Sequence, residues 1–477
     1  MQARPRDDVG ESLIEFDELS IHLRPDEKDA YETTARLQIG DGDALQELTE
    51  RRARHTLPPD TSGWARLIEW SISESRNFVQ RSLNPERLDR FRSVGSALFS
   101  SLFESPLAEL LAAGRERTRS GRGLRLRIAA ERPLDDLPWE FLFEPQRNDF
   151  IALAPRTSLV RSPEPPSFGA LDALPPLSRP LLVLVLTADV STEDRDGLGI
   201  GPELELLREL EKQSKGALKL IIRENVSAST FLRELRNEGP DVLYFIGIAR
   251  RGSGDGEASL VMAPEDGVVA GRPKGRTLIT KDGSQEVSYL KTADLLGAVR
   301  SQATPVRFAF FNGCWTYDVA KRLAPWVGAT LGTRGDTTNN SAIRFAEGLW
   351  RALVKGRSLD AAVSVGRRWV MRDTPGRREW GLPVLFVRGA VPTLAQRPTH
   401  AFEDFAENVG PSPRLEDQSP DLIVRQRLLN MHRKNRDILE DQLKFADGKD
   451  SVLSERLRAT EHEISQLQGE IDKWRKS

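Results

Sequence analysis

Val306-Arg-Phe-Ala-Phe-Phe-Asn-Gly-Cys314-Trp-Thr-Tyr-Asp318 is an apolar run that stops at Asn312-Gly313 and is followed at once by the only cysteine of the chain. An unbroken apolar run of strand length is the mark of a strand buried on both faces of a parallel sheet. Upstream, Gly239-Pro-Asp-Val-Leu-Tyr-Phe-Ile-Gly-Ile-Ala-Arg250 repeats the design, with Gly-Pro as punctuation, an apolar strand, and Gly247 where the chain must turn. In open α/β sheets, ligands and reactive side chains collect in the crevice outside the carboxyl ends of the strands. Two strands ending at Gly247 and Cys314 therefore aim at one place.

Outward from these strands the pattern alternates. Leu181-Leu-Val-Leu-Val-Leu186 and Leu218-Lys-Leu-Ile-Ile222 read as strands, and 203–212, 229–237 and 292–300 as helices. Val327-Gly-Ala-Thr-Leu-Gly332 and Leu382-Pro-Val-Leu-Phe-Val387 supply the last strands. Apolar strands alternating with amphipathic helices predict an α/β fold with a mainly parallel sheet flanked by helices. Gly252 to Gly283, rich in Gly, Asp, Lys and Arg, reads as a β-hairpin excursion or mobile loop beside the crevice, with 259–262 and 277–279 as short strands. Trp315 and Trp326 read as core residues on the usual burial of tryptophan.

The N-terminal residues form a smaller α/β unit. Residues 14–23 and 31–39 alternate apolar and polar side chains about Arg24-Pro-Asp-Glu-Lys-Asp29, which predicts a hairpin. Leu67, Trp70, Ile72, Leu98, Leu102, Leu107 and Leu110 follow at helical spacing, and Gly123-Leu-Arg-Leu-Arg-Ile128 returns to period two. The expected organisation is a lobe over 1–162, a proline-rich linker over 163–180, a core over 181–392, a linker over 393–420 and a helical hairpin over 421–477. In its second helix Leu453, Leu457, Thr460, Ile464, Leu467, Ile471 and Trp474 keep a seven-residue repeat, a seam that packs on its partner helix or on the body, or pairs with a second copy or another protein.

Composition excludes several classes. Lys+Arg 69 against Asp+Glu 71 leaves no global field to draw nucleic acid or an anionic membrane. A single cysteine cannot close an intramolecular disulfide and fits a reducing compartment. Nothing resembles a membrane span or a signal-peptide apolar core, so the expected location is cytoplasmic. No phosphate-binding loop and no zinc-ligand spacing occurs, so neither cofactor nor metal is expected.

The two central strands resemble the signature strands of the CHAT family, caspase-like proteins of the caspase/separase/gingipain group, in which the first strand ends in Gly-His-Gly and the second in an Asn/Ser-x-Cys segment. Asn312-Gly313-Cys314 matches the second, while Gly247 is followed by Ile248 and Ala249. Leu137-Pro-Trp-Glu-Phe-Leu142, Arg156-Thr-Ser-Leu-Val-Arg161, Gly328-Ala-Thr-Leu-Gly-Thr-Arg334, 344–353 and 356–362 resemble further family segments in the family's order, over roughly residues 90 to 390. The resemblance implies a caspase-like sheet and a bacterial signalling or defence setting. Asn339 falls where the family usually has an acid, and Asp336 remains nearby as a turn residue or pocket acid.

A cysteine protease needs a thiolate and a proton-managing group, usually histidine, because an unassisted thiol with a pKa near about 8.5 is only slightly ionised at neutral pH. A helix over 316–323 would favour the Cys314 thiolate through its dipole. The five histidines are His22, His55, His400, His432 and His462, so the sheet that would carry a dyad has none, and Ile248 stands at the family's histidine position. Three readings compete: a degenerate protease binding protein partners, such as a protease or sensor, through the crevice lined by Gly247, Ile248, Asn312, Gly313, Asp336 and Asn339; an active cysteine endopeptidase with Cys314 as nucleophile and a histidine lent by His22, His55, the tail or another subunit; and a Cys314 that is merely a small buried apolar residue. The first is the expectation drawn here.

Overall fold

A computed structural model of the chain describes residues 16–394, with breaks at 27–29, 41–45, 57–84, 164–179, 190–199, 252–256, 266–275, 374–377 and a few shorter ones, and parts of a helix between 457 and 468. Residues 1–400 and 401–477 are two compact units. In the second unit Thr460 is buried. The rest of the expected tail seam, Leu457 apart, lies outside the described residues, as do Leu67, Trp70, Ile72 and nearly all of the proline-rich linker.

The first unit begins with β1 (Phe16–Pro25), β2 (Ala30–Ile39), β3 (Gln46–Thr56), α1 (Pro85–Leu102), α2 (Leu107–Thr118) and β4 (Gly123–Ala130). The short pair β5 (Phe143–Glu144) and β6 (Asp149–Phe150) precedes β7 (Thr157–Arg161), β8 (Leu181–Thr187), α3 (Gly201–Gln213), β9 (Leu218–Arg223), α4 (Ala228–Glu238) and β10 (Val242–Ile246). A small insert follows as β11 (Ile248–Arg250), β12 (Ser259–Met262), β13 (Arg276–Thr280) and β14 (Gly283–Lys291). The chain then runs through α5 (Thr292–Arg300), β15 (Phe308–Asn312), α6 (Tyr317–Leu323), β16 (Ala329–Thr333), α7 (Asn339–Val354), α8 (Leu359–Asp373) and β17 (Pro383–Val387). Eleven strands form one sheet in the order β3-β2-β1-β4-β7-β17-β16-β15-β10-β8-β9.

The centre of the sheet explains its apolar runs. Every residue of β10 and β15 is buried, and the two strands pair in parallel with Ile246 opposite Asn312. Successive side chains go to opposite faces. Tyr244, Phe308 and Phe310 pack with Leu207 of α3, Trp350 of α7 and Val363 of α8, while Phe245, Ala309 and Phe311 pack with Phe231 of α4, Leu295 of α5 and Val319 of α6. Beyond β8, the edge strand β9 is blunted against further pairing, since Leu220 N donates to Glu211 Oε1 at 2.7 Å and Leu218 N to Ser214 Oγ at 3.1 Å.

The lobe expected over 1–162 and the core expected over 181–392 are two halves of this one sheet. The predicted hairpin is present as β1 and β2, but a third strand, β3, follows it, where Arg51, Arg52 and Arg54 hide the apolar alternation. β1 pairs in parallel with β4, β4 with β7, and β7 meets β17 at Arg161 opposite Phe386. The excursion over 252–283 is likewise more than a hairpin, because β11 to β14 make a four-stranded antiparallel sheet in the order β11-β12-β14-β13. Trp326 departs from its expected burial, being 42% exposed under the guanidinium of Arg300, 4.1 Å from its ring centre. No described helix is long and apolar enough to cross a membrane.

Buried ion pairs fasten the two halves. Arg127 of β4 donates to Glu18 Oε1 at 2.6 Å and to the carbonyls of Val387 at 3.1 Å and Gly389 at 2.7 Å, so one guanidinium ties β1 to the end of β17. Arg125 donates to Asp360 Oδ2 of α8 at 2.7 Å. Glu140, from the Leu-Pro-Trp-Glu segment, accepts from Arg161 Nε at 2.8 Å, which joins two of the stretches singled out in the sequence. Burial pushes the carboxyls of Glu18, Asp360 and Glu140 up, and the guanidiniums beside them outweigh that, so each titrates below its ordinary value. A carboxylate whose folded pKa is depressed contributes stability above its unfolded pKa and loses it as pH falls through the folded value. Urea midpoints should therefore hold near neutrality and fall below about pH 4. Arg127→Met should cost about 3 kcal/mol at pH 7, because it leaves the buried Glu18 carboxylate with Arg125, 3.5 Å away, as its remaining cation.

Candidate functional site

The carboxyl ends of β10 and β15 meet through glycine. Gly247 N donates to Asn312 O at 3.2 Å, and Ala249 N to Cys314 O at 2.9 Å, so the ladder continues past the ends of both strands. A Cβ on Gly313 would lie 1.5 Å from the carbonyl oxygen of Gly247, a backbone atom with nowhere to move. Only glycine permits this approach. Ile248 opens β11 and is half-buried opposite Val261.

Past Gly313 the chain turns sharply. Trp315 adopts φ 62°, the left-handed region that a bulky residue rarely occupies and that costs roughly 1–3 kcal/mol. Its contacts hold it there: Trp315 N donates to Gly335 O at 3.0 Å, Nε1 to Asp336 Oδ1 at 2.8 Å, and the Arg251 guanidinium lies 5.0 Å from its ring centre. Asp336 thus acts as the acceptor for an indole. The helix that follows, α6, is only seven residues long, a short source for the dipole expected beside the thiol.

Cys314 is buried and sits under the backbone of Thr337, whose N–H donates to Sγ at 3.3 Å and whose carbonyl accepts from Sγ at 3.5 Å. That pair of contacts suits a protonated thiol, which accepts from the amide and donates to the carbonyl. Beside it lies a recess of about 20 Å³ lined by Gly247, Asn312, Gly313, Cys314, Asn339 and Glu203. The structure thus brings together Gly247, Asn312, Gly313, Cys314 and Asn339 of the expected lining residues. Ile248 and Asp336 flank the recess in sequence and are absent from its wall.

Glu203 was not anticipated. It stands in the first turn of α3 and is 2% exposed. Asn312 Nδ2 donates to its Oε1 at 2.8 Å and also reaches Tyr244 Oη at 3.3 Å and Ala342 O at 3.4 Å. Burial pushes the Glu203 carboxyl up to about 8, against the smaller opposing effect of the Asn312 hydrogen bond. A signal was available: positions 203, 206, 207 and 210 form one helical stripe, and the other three are leucine. A carboxyl on that stripe had to be buried.

The histidines of this unit that the structure describes lie elsewhere. His55 Nε2 is 2.8 Å from Thr33 Oγ1 and its ring stacks on Tyr31 at 5.2 Å. His22 Nε2 lies 3.3 Å from Glu131 Oε1, and burial lowers its pKa. Five strand spacings separate β1 from β15 and seven separate β3 from β15, about 24 Å and 34 Å at the usual spacing. Within one chain the structure does not bring either side chain to Cys314. Among the described residues no group of three His, Cys, Asp or Glu side chains could hold a metal ion.

A family model described as "CHAT domain" matches residues 92–401. Among solved structures, the Arg specific cysteine proteinase gingipain R is similar with a TM-score of 0.40 at 10% identity, over 69% of this chain and 78% of that one. The complex of Porphyromonas gingivalis RgpB pro- and mature domains is similar with a TM-score of 0.40 at 9% identity, over 66% and 80%. The Saccharomyces cerevisiae separase–securin complex is similar with a TM-score of 0.40 at 11% identity, over 78% of this chain and 30% of that chain's length. No curated protein sequence matches.

The glycine contact at the site is testable by a single methyl group. Gly313→Ala should destabilise the chain by about 3 kcal/mol or more, or prevent folding, because its Cβ would overlap the Gly247 carbonyl. A melting temperature within about 2 °C of the parent would contradict this geometry.

Proposed function

This chain belongs to the CHAT domain family, and we propose that it is a catalytically degenerate member, which acts by contact with protein partners as a regulatory or scaffold subunit of a bacterial signalling or defence system. The observation that carries this reading is the residue at the end of β10: Ile248, which can neither bond to nor take a proton from the thiol, follows Gly247 where the resemblance expects histidine. The described histidines of the same unit are strands away and hydrogen-bonded or paired elsewhere. Cys314, for its part, is buried and held by the Thr337 backbone.

Protein-binding work suits what remains. The crevice keeps its fold-determining glycines, and the recess has apolar walls in Ile200, Ile246, Ala342 and Ile343, while the small β11–β14 sheet borders it through the bond from Ala249 to Cys314. A partner that is itself a protease, or a sensor upstream of one, fits a subunit that keeps the protease shape without the dyad. The tail repeat, Leu453 to Trp474, adds a second surface for such a partner or a second copy.

The test is direct. The purified full chain should leave a diverse peptide mixture uncut, and Cys314→Ala should match the parent in the cellular response that the protein supports. Cleavage abolished by that same substitution would replace this reading with a cysteine endopeptidase whose base comes from outside the described sheet.

A further inference from the structure

A carboxyl group 2% exposed, with no ion pair among the described residues, is an expensive thing to keep beside a thiol. Glu203 holds only one of its oxygens in a hydrogen bond, that from Asn312, and the other has no partner among the described residues. Asn312 is the joint of the crevice: its side chain ties α3 through Glu203, β10 through Tyr244 and α7 through Ala342, while its backbone carbonyl takes the Gly247 N–H two residues before Cys314. Four elements therefore converge on one amide, and the recess beside it, with room for about one water, is shared by Glu203 and Cys314.

We infer that Glu203 is the positioning residue of the Cys314 crevice: with its proton on, it stays under Asn312 and keeps the crevice closed over the thiol, and on losing that proton it draws away and the crevice opens. A neutral acid is compatible with walls of Ile200, Ile246, Ala342 and Ile343, whereas an ionised carboxylate there needs water or a cation. The titratable groups facing it are Tyr244 from β10 and Cys314 after β15; α7 brings the neutral Asn339 and Ala342, and neither α3 nor α7 forms an ion pair to it. Among the described residues only the Asn312 amide would stabilise the new charge, and burial outweighs it. The route to water is short, because Ile200 at the head of α3 separates this recess from an open cleft of about 480 Å³ at the ends of β8 and β9, lined by Thr187, Arg208 and Asn225. This concerns access to the thiol, so it goes beyond the reading above and holds whether the crevice binds or cuts.

The chain has one cysteine, so the thiolate fraction of Cys314 can be read from absorbance near 240 nm and its accessibility from alkylation by iodoacetamide. With the Glu203 carboxyl at about 8, neutral acid prevails at pH 7 and carboxylate at pH 9 by about ten to one each way. The alkylation rate per thiolate in the full-length parent should rise about tenfold between these two values and stay flat, at the closed level, in Glu203→Gln. An equal rise in both proteins, or none in the parent, overturns the assignment. Should Glu203→Gln fail to fold, hydrogen exchange on the parent decides: faster opening at pH 9 confined to 200–206 and 312–316, after correction for intrinsic rates, supports it, and uniform exchange overturns it. Peptide cleavage by the isolated chain would defeat the degenerate reading and leave this result untouched.

Discussion

Everything at the centre of this protein depends on how closely two backbones can approach. Gly313 passes so near the Gly247 carbonyl that no side chain fits between them. That contact sets β10 and β15 ending side by side, carries the ladder on to Ala249 and Cys314, and puts Trp315 into a left-handed turn that three contacts must hold. The thiol is the consequence of this packing. It lies wherever the glycines leave it, which is under Thr337.

The second constraint is electrostatic. A sheet of eleven strands assembled from two stretches of sequence needs something to fix its halves in register, and the junction uses buried charge. Arg127 spans β4, β1 and the end of β17; Arg161 holds Glu140; Arg125 holds Asp360. Each carboxylate has its cation, so each pair offsets much of its desolvation with Coulomb attraction and further hydrogen bonds. Among the described residues Glu203 has no such cation, and burial pushes its carboxyl up to about 8.

How much of this was legible can be argued residue by residue. β8, β10, β15, β16 and β17 were readable because a strand buried on both faces leaves an unmistakable apolar run, and α4 because Phe231 and Leu235 recur at helical spacing. β3 was not, since its arginines conceal a strand at the edge of the sheet, where charge is tolerated. Neither was the union of lobe and core, because pairing between β7 and β17 joins residues some two hundred positions apart and leaves no local trace. Trp326 was misjudged because burial statistics say nothing of a turn that presents an indole to Arg300.

The amino-acid sequence by itself determined the family, the strand that carries Cys314 and the lack of any histidine from 56 to 399, because composition and apolar periodicity are local properties. Only the tertiary structure decided where His22 and His55 stand relative to the thiol, that Thr337 holds it, and that Glu203 shares its recess. Those facts are distances between residues far apart along the chain, and a sequence carries no distance until packing closes the sheet.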